Sequence, residues 1–139
     1  MQAYGSELLD ASTLMLPKVG FIAADDPRMR GTIEAIQREL TSPQGFVYRY
    51  RGLNDGLQGD EGTFTICTFW LADNLIAIGE VDQARNLFEK ACSSGNDLGL
   101  LSEQFDPATL EMLGNFPQAF SHLGLINTAV QLDQALQAR

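Results

Sequence analysis

The chain of 139 residues has few cysteines, few cations and no long apolar run. Its two cysteines, Cys67 and Cys92, form no C-x-x-C motif, and we expect both to be buried thiols in a reducing compartment, the cytoplasm. No segment is apolar over the roughly 18 residues that a membrane-spanning helix needs, and the first residues lack the basic and apolar regions of a signal peptide. We therefore expect no metal, no cofactor, no membrane partner and no export.

Lysine and arginine are scarce, because 9 of them stand against 18 aspartates and glutamates, for a net charge of -9. Binding a nucleic acid or an anionic membrane takes clustered cations, so neither is expected as a partner. A neutral sugar does not need clustered cations, so the negative charge does not exclude it as a ligand. Solubility alone also explains the charge. With 45% hydrophobic residues, the chain should fold as a single domain over residues 1–139.

Apolar spacing predicts an all-α fold of antiparallel helical hairpins with little strand. The expected helices are residues 5–19, 27–40, 63–78, 81–91 and 117–138, with a short strand or extended loop at 46–51. Ser6 and Asp26 are expected N-caps, with Pro27 at the first helical position. The stretch 63–78 is apolar almost all round and should be the most buried helix, and Gly79 should end it and begin a hairpin.

The segment from residue 96 to 127 begins as a predicted loop, because glycine and proline interrupt any helical period. The interrupting residues are Gly95, Gly99, Pro107 and Gly114. The loop carries an isolated carboxylate, Glu103, between apolar neighbours. Such a carboxylate is either held by donors from neighbouring segments or kept for chemistry, and composition alone favours the structural interpretation.

Two motifs in this segment resemble a known family. They are Leu-Leu-Ser-Glu-Gln-Phe-Asp-Pro from Leu100 and Leu-Gly-Asn-Phe-Pro-Gln-Ala-Phe-Ser-His-Leu from Leu113. Both resemble the end of the catalytic domain of glycoside hydrolase family 15, the glucoamylase and trehalase family. The resemblance implies the C-terminal segment of an (α/α)6 toroid, whose loops at one end build a sugar pocket. It also implies that Glu103 is the general base of an inverting hydrolase acting on α-glucosides or oligosaccharides.

The resemblance further implies sugar-binding residues. Arg49, with Tyr48 beside it, resembles a family arginine that binds sugar hydroxyls, and the alternative is an arginine paired with a nearby acid. Glu61 opens a Glu-Gly-Thr-Phe motif that matches the family pattern Glu-Gly-x-Phe. We interpret Glu61 as a residue that binds sugar or pins the loop, rather than as a substitute general acid.

Other residues in the matched motifs have structural interpretations. Trp70 is expected in the core rather than stacked on a sugar ring. His122 is expected to be a satisfied histidine rather than a proton carrier. Asn115 and Gln118 should fix the loop backbone. Asp106 should form a turn, or else orient the base.

A hydrolase of this kind needs a general acid as well as a base. The family's acid lies in a Trp-Glu motif on an earlier loop, whereas the one tryptophan here, Trp70, is followed by Leu71. The resemblance thus covers only the last part of a longer domain, and we expect the chain alone to be inactive. The alternative is a noncatalytic helical interaction module or scaffold. A toroid segment without its neighbours should expose apolar faces, which predicts a homo-oligomer.

Overall fold

The computed structural model describes residues 5–52 and 62–139. This part of the chain is mostly helical, as predicted, and also contains a small three-stranded antiparallel sheet. The elements are a 3₁₀ helix at Ala11–Met15, α1 at Pro27–Glu39, β1 at Thr63–Phe64, α2 at Thr65–Ala77, α3 at Val81–Ser93, β2 at Gln104–Asp106, β3 at Glu111–Leu113 and α4 at Ala119–Gln137.

Helix α1 begins where its sequence predicts. The Asp26 carboxylate accepts a hydrogen bond from the Arg28 N–H at 2.9 Å, and Pro27 occupies the first turn. The Arg28 guanidinium also donates to the Asp26 carboxylate, at 2.8 Å. The guanidinium and the N–H of Arg28 together lower the pKa of Asp26 to about 2, because both favour the charged carboxylate.

The first helix is shorter than predicted, and its N-cap is Asp10 rather than Ser6. Instead of a helix over residues 5–19 capped by Ser6, a 3₁₀ helix of five residues is capped by Asp10. The Asp10 carboxylate accepts the Ser12 N–H at 2.8 Å, whereas the Ser6 hydroxyl accepts the Leu8 N–H and caps no helix. At both positions the side chain accepts the N–H two residues further along the chain. Such local side-chain turns give the backbone an alternative to a longer helix.

The last helix begins two residues later than predicted, at Ala119 rather than Pro117. The Gln118 N–H donates to the Leu101 carbonyl at 2.8 Å, so this residue is tied to the preceding loop. Its side-chain oxygen accepts the Phe120 N–H, which makes Gln118 the N-cap. The loop before α4 therefore fixes where the helix starts.

Helix α2 forms the centre of the core, as its composition predicts, with ten of its 13 residues buried. Gly79, at φ +88°, follows its last turn, and the chain then reverses into α3. Helix α4 packs on α2 and α3 as well. The main buried cluster joins α2 to the 3₁₀ helix and α1 through Leu14, Met29, Ile33, Ile36, Ile66, Leu71 and Leu75.

Helices α2 and α4 approach closely at Gly124, where a Cβ would lie 3.0 Å from Ile66 Cγ1 and 3.1 Å from Phe69 Cδ2. Both neighbours are buried and have little room to move. We expect Gly124→Ala to lower the free energy of unfolding by about 1 kcal/mol, because overpacking costs about 1–3 kcal/mol and outweighs a helix-propensity gain of about 1 kcal/mol. Urea unfolding measures the change.

Gly31 in α1 provides the matched control, because no atom lies within 4 Å of the position where its Cβ would be. There the helix-propensity gain is unopposed, so Gly31→Ala should raise the free energy of unfolding by about 0.5–1 kcal/mol. Stabilisation of similar size at both glycines would contradict the close contact between α2 and α4.

The two cysteines lie in α2 and α3, and neither forms a disulfide. Cys67 is buried and Cys92 is partly buried, and both are free thiols. Burial raises the pKa of each thiol, which favours the protonated form. Within residues 5–52 and 62–139, no group of three histidines, cysteines or acids is placed to hold a metal ion, and no helix has the length and hydropathy to span a bilayer.

Candidate active site

Glu103 lies just before β2, where the N-terminal ends of α2 and α4 meet. The N–H of Thr65, the first residue of α2, donates to the Glu103 carbonyl at 3.0 Å. The hydroxyl of Ser121, in the first turn of α4, donates to the Ser102 carbonyl at 2.8 Å. Both helices therefore fix the backbone at Ser102 and Glu103, and with it the position of the Glu103 side chain.

The residue before Ser102 is also fixed from α4. The Leu101 N–H donates to Nε2 of His122 at 3.1 Å, and the Leu101 carbonyl accepts the Gln118 N–H. Accepting this bond requires Nε2 of His122 to be unprotonated. His122 thus has a backbone partner, and both His122 and Gln118 position the loop that carries Glu103.

Among the described residues, Asn115 alone donates hydrogen bonds to the Glu103 carboxylate. Its Oε2 atom accepts the backbone N–H of Asn115 at 3.0 Å and the side-chain Nδ2 at 2.9 Å. In return, the Glu103 N–H donates to the Asn115 carbonyl at 2.9 Å. No group within the described ranges donates to Oε1. The carboxylate is thereby fixed through one oxygen, and the described residues leave the other without a hydrogen bond.

Gly114, next to Asn115, allows this arrangement. Its φ is +72°, and a Cβ built there would lie 2.7 Å from Oε2 of Glu103. Real Cβ atoms essentially never come that close, so a side chain at position 114 would displace the carboxylate. Asn115 was predicted to fix the loop backbone, but its side chain binds the Glu103 carboxylate, and the close approach of Gly114 to Glu103 was not predicted. The adjacent glycine and asparagine, two residues typical of turns, were the sequence signal for a turn at this position.

The predicted loop in the first half of the segment 96–127 contains two strands, which is a correction. Strand β2 pairs with β3, and β1 pairs with β2 with Thr63 opposite Phe105. The Thr63 hydroxyl also donates to the Phe105 carbonyl at 2.6 Å. Because Asn115 follows β3 and Glu103 precedes β2, the hairpin brings the amide to the carboxylate.

Asp106 does not orient Glu103. Its two carboxylate oxygens accept the Ala108 N–H at 2.8 Å and the Thr109 hydroxyl at 3.0 Å, inside the turn between β2 and β3. These donors hold the pKa of Asp106 below its usual range. The alternative in which Asp106 forms a turn is therefore confirmed.

The segment of Tyr48 and Arg49 runs beside β1. The Phe64 N–H donates to the Val47 carbonyl at 2.9 Å, and Phe64 pairs with Gln104 in the sheet. The structure thus puts this segment one strand away from the strand that follows Glu103. Within the described residues, no hydrogen bond or ion pair joins Tyr48 or Arg49 to Glu103.

Both side chains have other neighbours. Arg49 is half-exposed, and its Nε lies 3.9 Å from the Asp10 carboxylate. Its guanidinium is also 6.0 Å from the centre of the Tyr50 ring. The Arg51 guanidinium lies 4.1 Å above the ring of Tyr48. Arg49 therefore has the acidic neighbour that the alternative interpretation expects, while keeping an exposed part.

Two further predicted residues have different outcomes. Glu61 lies outside the described residues, so its predicted role stays a prediction. Trp70 packs partly buried against the main core cluster and meets the Phe120 ring edge-on, with the centroids 6.0 Å apart. This packing agrees with a core tryptophan.

Comparison with known sequences links these features to a family. Residues 1–130 match the model of glycosyl hydrolases family 15. The chain is 50% identical over 136 residues to a trehalase of Mycolicibacterium smegmatis and 45% identical over 139 residues to a trehalase of Thermoplasma volcanium. These alignments include 96% and 100% of this chain but only 20% and 22% of the relatives. The chain thus spans about a fifth of the length of the curated relatives it matches.

Comparison with solved structures identifies the fold. A bacterial glucoamylase complexed with acarbose aligns with a TM-score of 0.78 at 22% identity, covering 93% of this chain and 21% of that chain. A structure described as a wild-type glycosidase aligns with a TM-score of 0.79 at 22% identity, covering 93% and 37%. These likenesses establish a segment of an (α/α)6 toroid. Because the family model also matches nearly the whole sequence, the chain belongs to glycosyl hydrolase family 15.

Proposed function

We propose that this chain supplies the general base of an inverting, trehalase-like α-glucoside hydrolase, and that Glu103 is the base. The observation that carries the proposal is the way Asn115 holds the carboxylate. Oε2 accepts two hydrogen bonds from Asn115, and Oε1 accepts none from the described residues. In an inverting glycosidase the base takes a proton from the water that attacks the sugar. A fixed carboxylate with one oxygen that the described residues leave unbonded suits that step.

The substrate proposed is an α-glucoside or oligosaccharide, with trehalose first. Support comes from the relatives, two of which are trehalases about half identical to this chain, and from a glucoamylase neighbour complexed with acarbose. Arg49, Tyr48 and Glu61 are the proposed sugar-binding residues. The half-exposed guanidinium of Arg49 has planar donors that suit neighbouring hydroxyls.

The chain alone is proposed to be inactive, because Glu103 is only half of the machinery. An inverting enzyme places its acid roughly 6.5–9.5 Å from its base, with a water between them. The matched relatives are about five times longer, and the acid is assigned to the part that this chain does not match. The same incompleteness supports self-association of the isolated chain, and the free cysteines support a cytoplasmic location.

A chimera tests the proposal. In it, this chain replaces the matching segment of the M. smegmatis trehalase, to which it is 50% identical. We expect the chain alone to release no glucose from trehalose or maltose, whereas the chimera hydrolyses trehalose. The parent trehalase is the positive control. A chimera that folds like the parent but binds and cleaves no sugar would contradict the proposal and favour the noncatalytic scaffold.

A further inference from the structure

A hollow of ≈ 250 Å³ opens between the 3₁₀ helix with the turn that follows it, α2 and α4. Trp70, Asp73 and Asn74 of α2 contribute to its lining. The hollow is separate from the loop that carries Glu103. That loop is held at Thr65, the first residue of α2, and a helix rises about 1.5 Å per residue, so Asp73 lies about 12 Å further along α2.

One wall of the hollow carries an ion pair whose atoms are fixed. The Lys18 ammonium donates to Oδ2 of Asp73 at 2.7 Å, and the Thr128 hydroxyl donates to Oδ1 at 2.6 Å. The side chain of Asp73 is 8% exposed and that of Lys18 is 35% exposed. An ammonium has three donors, so Lys18 can donate to a ligand as well. Because the pair is neutral overall, a ligand with a charge of its own would lack a counter-charge there.

The side chain of Asn74 supplies an acceptor. Its amide nitrogen donates to the carbonyls of Leu14 and Trp70, both at 2.8 Å, which fixes the orientation of the amide. Asn74 is 4% exposed, and its Oδ1 atom is buried with no hydrogen-bond partner within the described residues. Buried polar atoms in folded proteins are nearly always paired. A ligand that donates a hydrogen bond in the hollow would pair with Oδ1.

The remaining lining gives the hollow an apolar wall. Eight of its twelve described lining residues are apolar, among them Leu14, Ile22 and the partly buried Trp70. An apolar wall with a few convergent polar groups is the usual composition of a small-molecule site. The volume of ≈ 250 Å³ lies below the roughly 300–1,000 Å³ of sites for drug-sized ligands, so the hollow suits one small ring.

A hydroxyl group matches both polar features of the hollow. It donates to an acceptor such as Oδ1 of Asn74, and it accepts from a donor such as the Lys18 ammonium. Sugars and cyclic polyols combine such hydroxyls with apolar C–H groups on their ring faces, which can lie against the Trp70 ring. Apolar side chains in the hollow would instead leave Oδ1 of Asn74 unpaired.

We propose that the hollow is a ligand site for a neutral, polyhydroxylated molecule of the size of one sugar ring, separate from Glu103. The ligand donates to Asn74, accepts from Lys18 and places an apolar face on Trp70. Binding there requires no catalysis, so this proposal and the proposed role of Glu103 can fail separately.

Fluorescence tests the site directly, because Trp70 is the chain's single tryptophan and lines the hollow. The probe is D-glucose, added to the whole chain. We expect a saturable change of tryptophan fluorescence with a dissociation constant of about 1–10 mM, since a ligand of one ring makes few contacts. Trehalose, which has two rings, should bind at least about tenfold more weakly, because the hollow is too small for it.

Ala77→Phe blocks the hollow from its edge. Ala77 is an exposed lining residue at the end of α2, so a phenyl group there enters the hollow without displacing the core. The matched control, Ala138→Phe, adds the same ring at an exposed position outside the lining. We expect Ala77→Phe to weaken glucose binding at least about tenfold, and Ala138→Phe and Glu103→Gln to change it less than about twofold. Circular dichroism checks that all three variants fold.

Four results would overturn the proposal. The first is no saturable change of fluorescence even at about 100 mM glucose, ten times the weakest binding expected. The second is equal weakening by Ala77→Phe and Ala138→Phe. The third is loss of binding in Glu103→Gln, which would place the sugar beside Glu103 instead. The fourth is trehalose binding as tightly as glucose, which the size of the hollow does not allow.

The chimera shows whether the hollow stays open in a complete catalytic domain. Equilibrium dialysis with labelled glucose counts the sugars bound per chain. The Ala77→Phe chimera should bind one glucose fewer than either the unsubstituted chimera or the Ala138→Phe chimera. Equal numbers in all three would mean that the rest of the domain closes the hollow, which would also overturn the proposal.

Discussion

Replacing Glu103 by glutamine in the chimera is expected to lower kcat for trehalose by about 100- to 10,000-fold, the usual contribution of a general base. Glutamine has nearly the same shape, and its amide oxygen can accept both hydrogen bonds from Asn115. It cannot take a proton from water at neutral pH. KM should change little, because Glu103→Gln removes an interaction that matters in the transition state rather than in binding.

Glu111 offers the matched control for this substitution. It is an exposed carboxylate on β3, in the same hairpin, and Glu111→Gln removes the same charge. The Glu111→Gln chimera should keep the kinetics of the unsubstituted chimera. If Glu103→Gln kept more than about a tenth of kcat, or if Glu111→Gln lost as much, Glu103 would not be the base.

The parts of the fold that follow from short-range patterns could be predicted from the sequence. The start of α1 depends on Asp26 and Pro27, which act within one turn, and the centre of the core depends on the apolar composition of residues 63–78. Such features need only neighbours along the chain. The predicted role of Glu103 as a base rests instead on the resemblance of its sequence motif to glycoside hydrolase family 15.

The parts that depend on distant pairing could not be predicted in this way. Strands β2 and β3 have three residues each, too few to show an alternating pattern among the glycines and prolines around them. Strand β1 pairs with β2 across about 40 residues. The contact between Asn115 and Glu103 exists only once that sheet has formed, so no local pattern reveals it.

The same limitation explains the errors at the helix ends. Ser6 and Asp10 both have side chains that can cap a helix, and the choice between them depends on tertiary contacts. The Ala11 N–H donates to the carbonyl of Arg49 at 2.8 Å, which ties the 3₁₀ helix to a segment distant in sequence. Similarly, Gln118 bonds to Leu101 and delays the start of α4.

Gly114→Ala in the chimera is expected to lower kcat by about 100-fold or more and also to reduce stability. The φ of +72° disfavours any side chain, at a cost of about 1–2 kcal/mol. The added methyl group would sit 2.7 Å from Oε2 of Glu103, so the carboxylate or the loop must move. A misplacement of about 1 Å can cost about 100-fold in rate. Steady-state kinetics and thermal unfolding measure the two effects.

Gly99→Ala separates the collision from the backbone penalty. Gly99 has almost the same φ, +74°, but no atom lies within 4 Å of where its Cβ would be. Gly99→Ala should therefore cost about 1–2 kcal/mol of stability, yet keep kcat within about twofold of the unsubstituted chimera. If Gly99→Ala and Gly114→Ala lowered kcat equally, backbone strain rather than the contact with Glu103 would explain the loss of activity. A Gly114→Ala chimera with full activity would mean that the position of the Glu103 carboxylate does not limit the reaction.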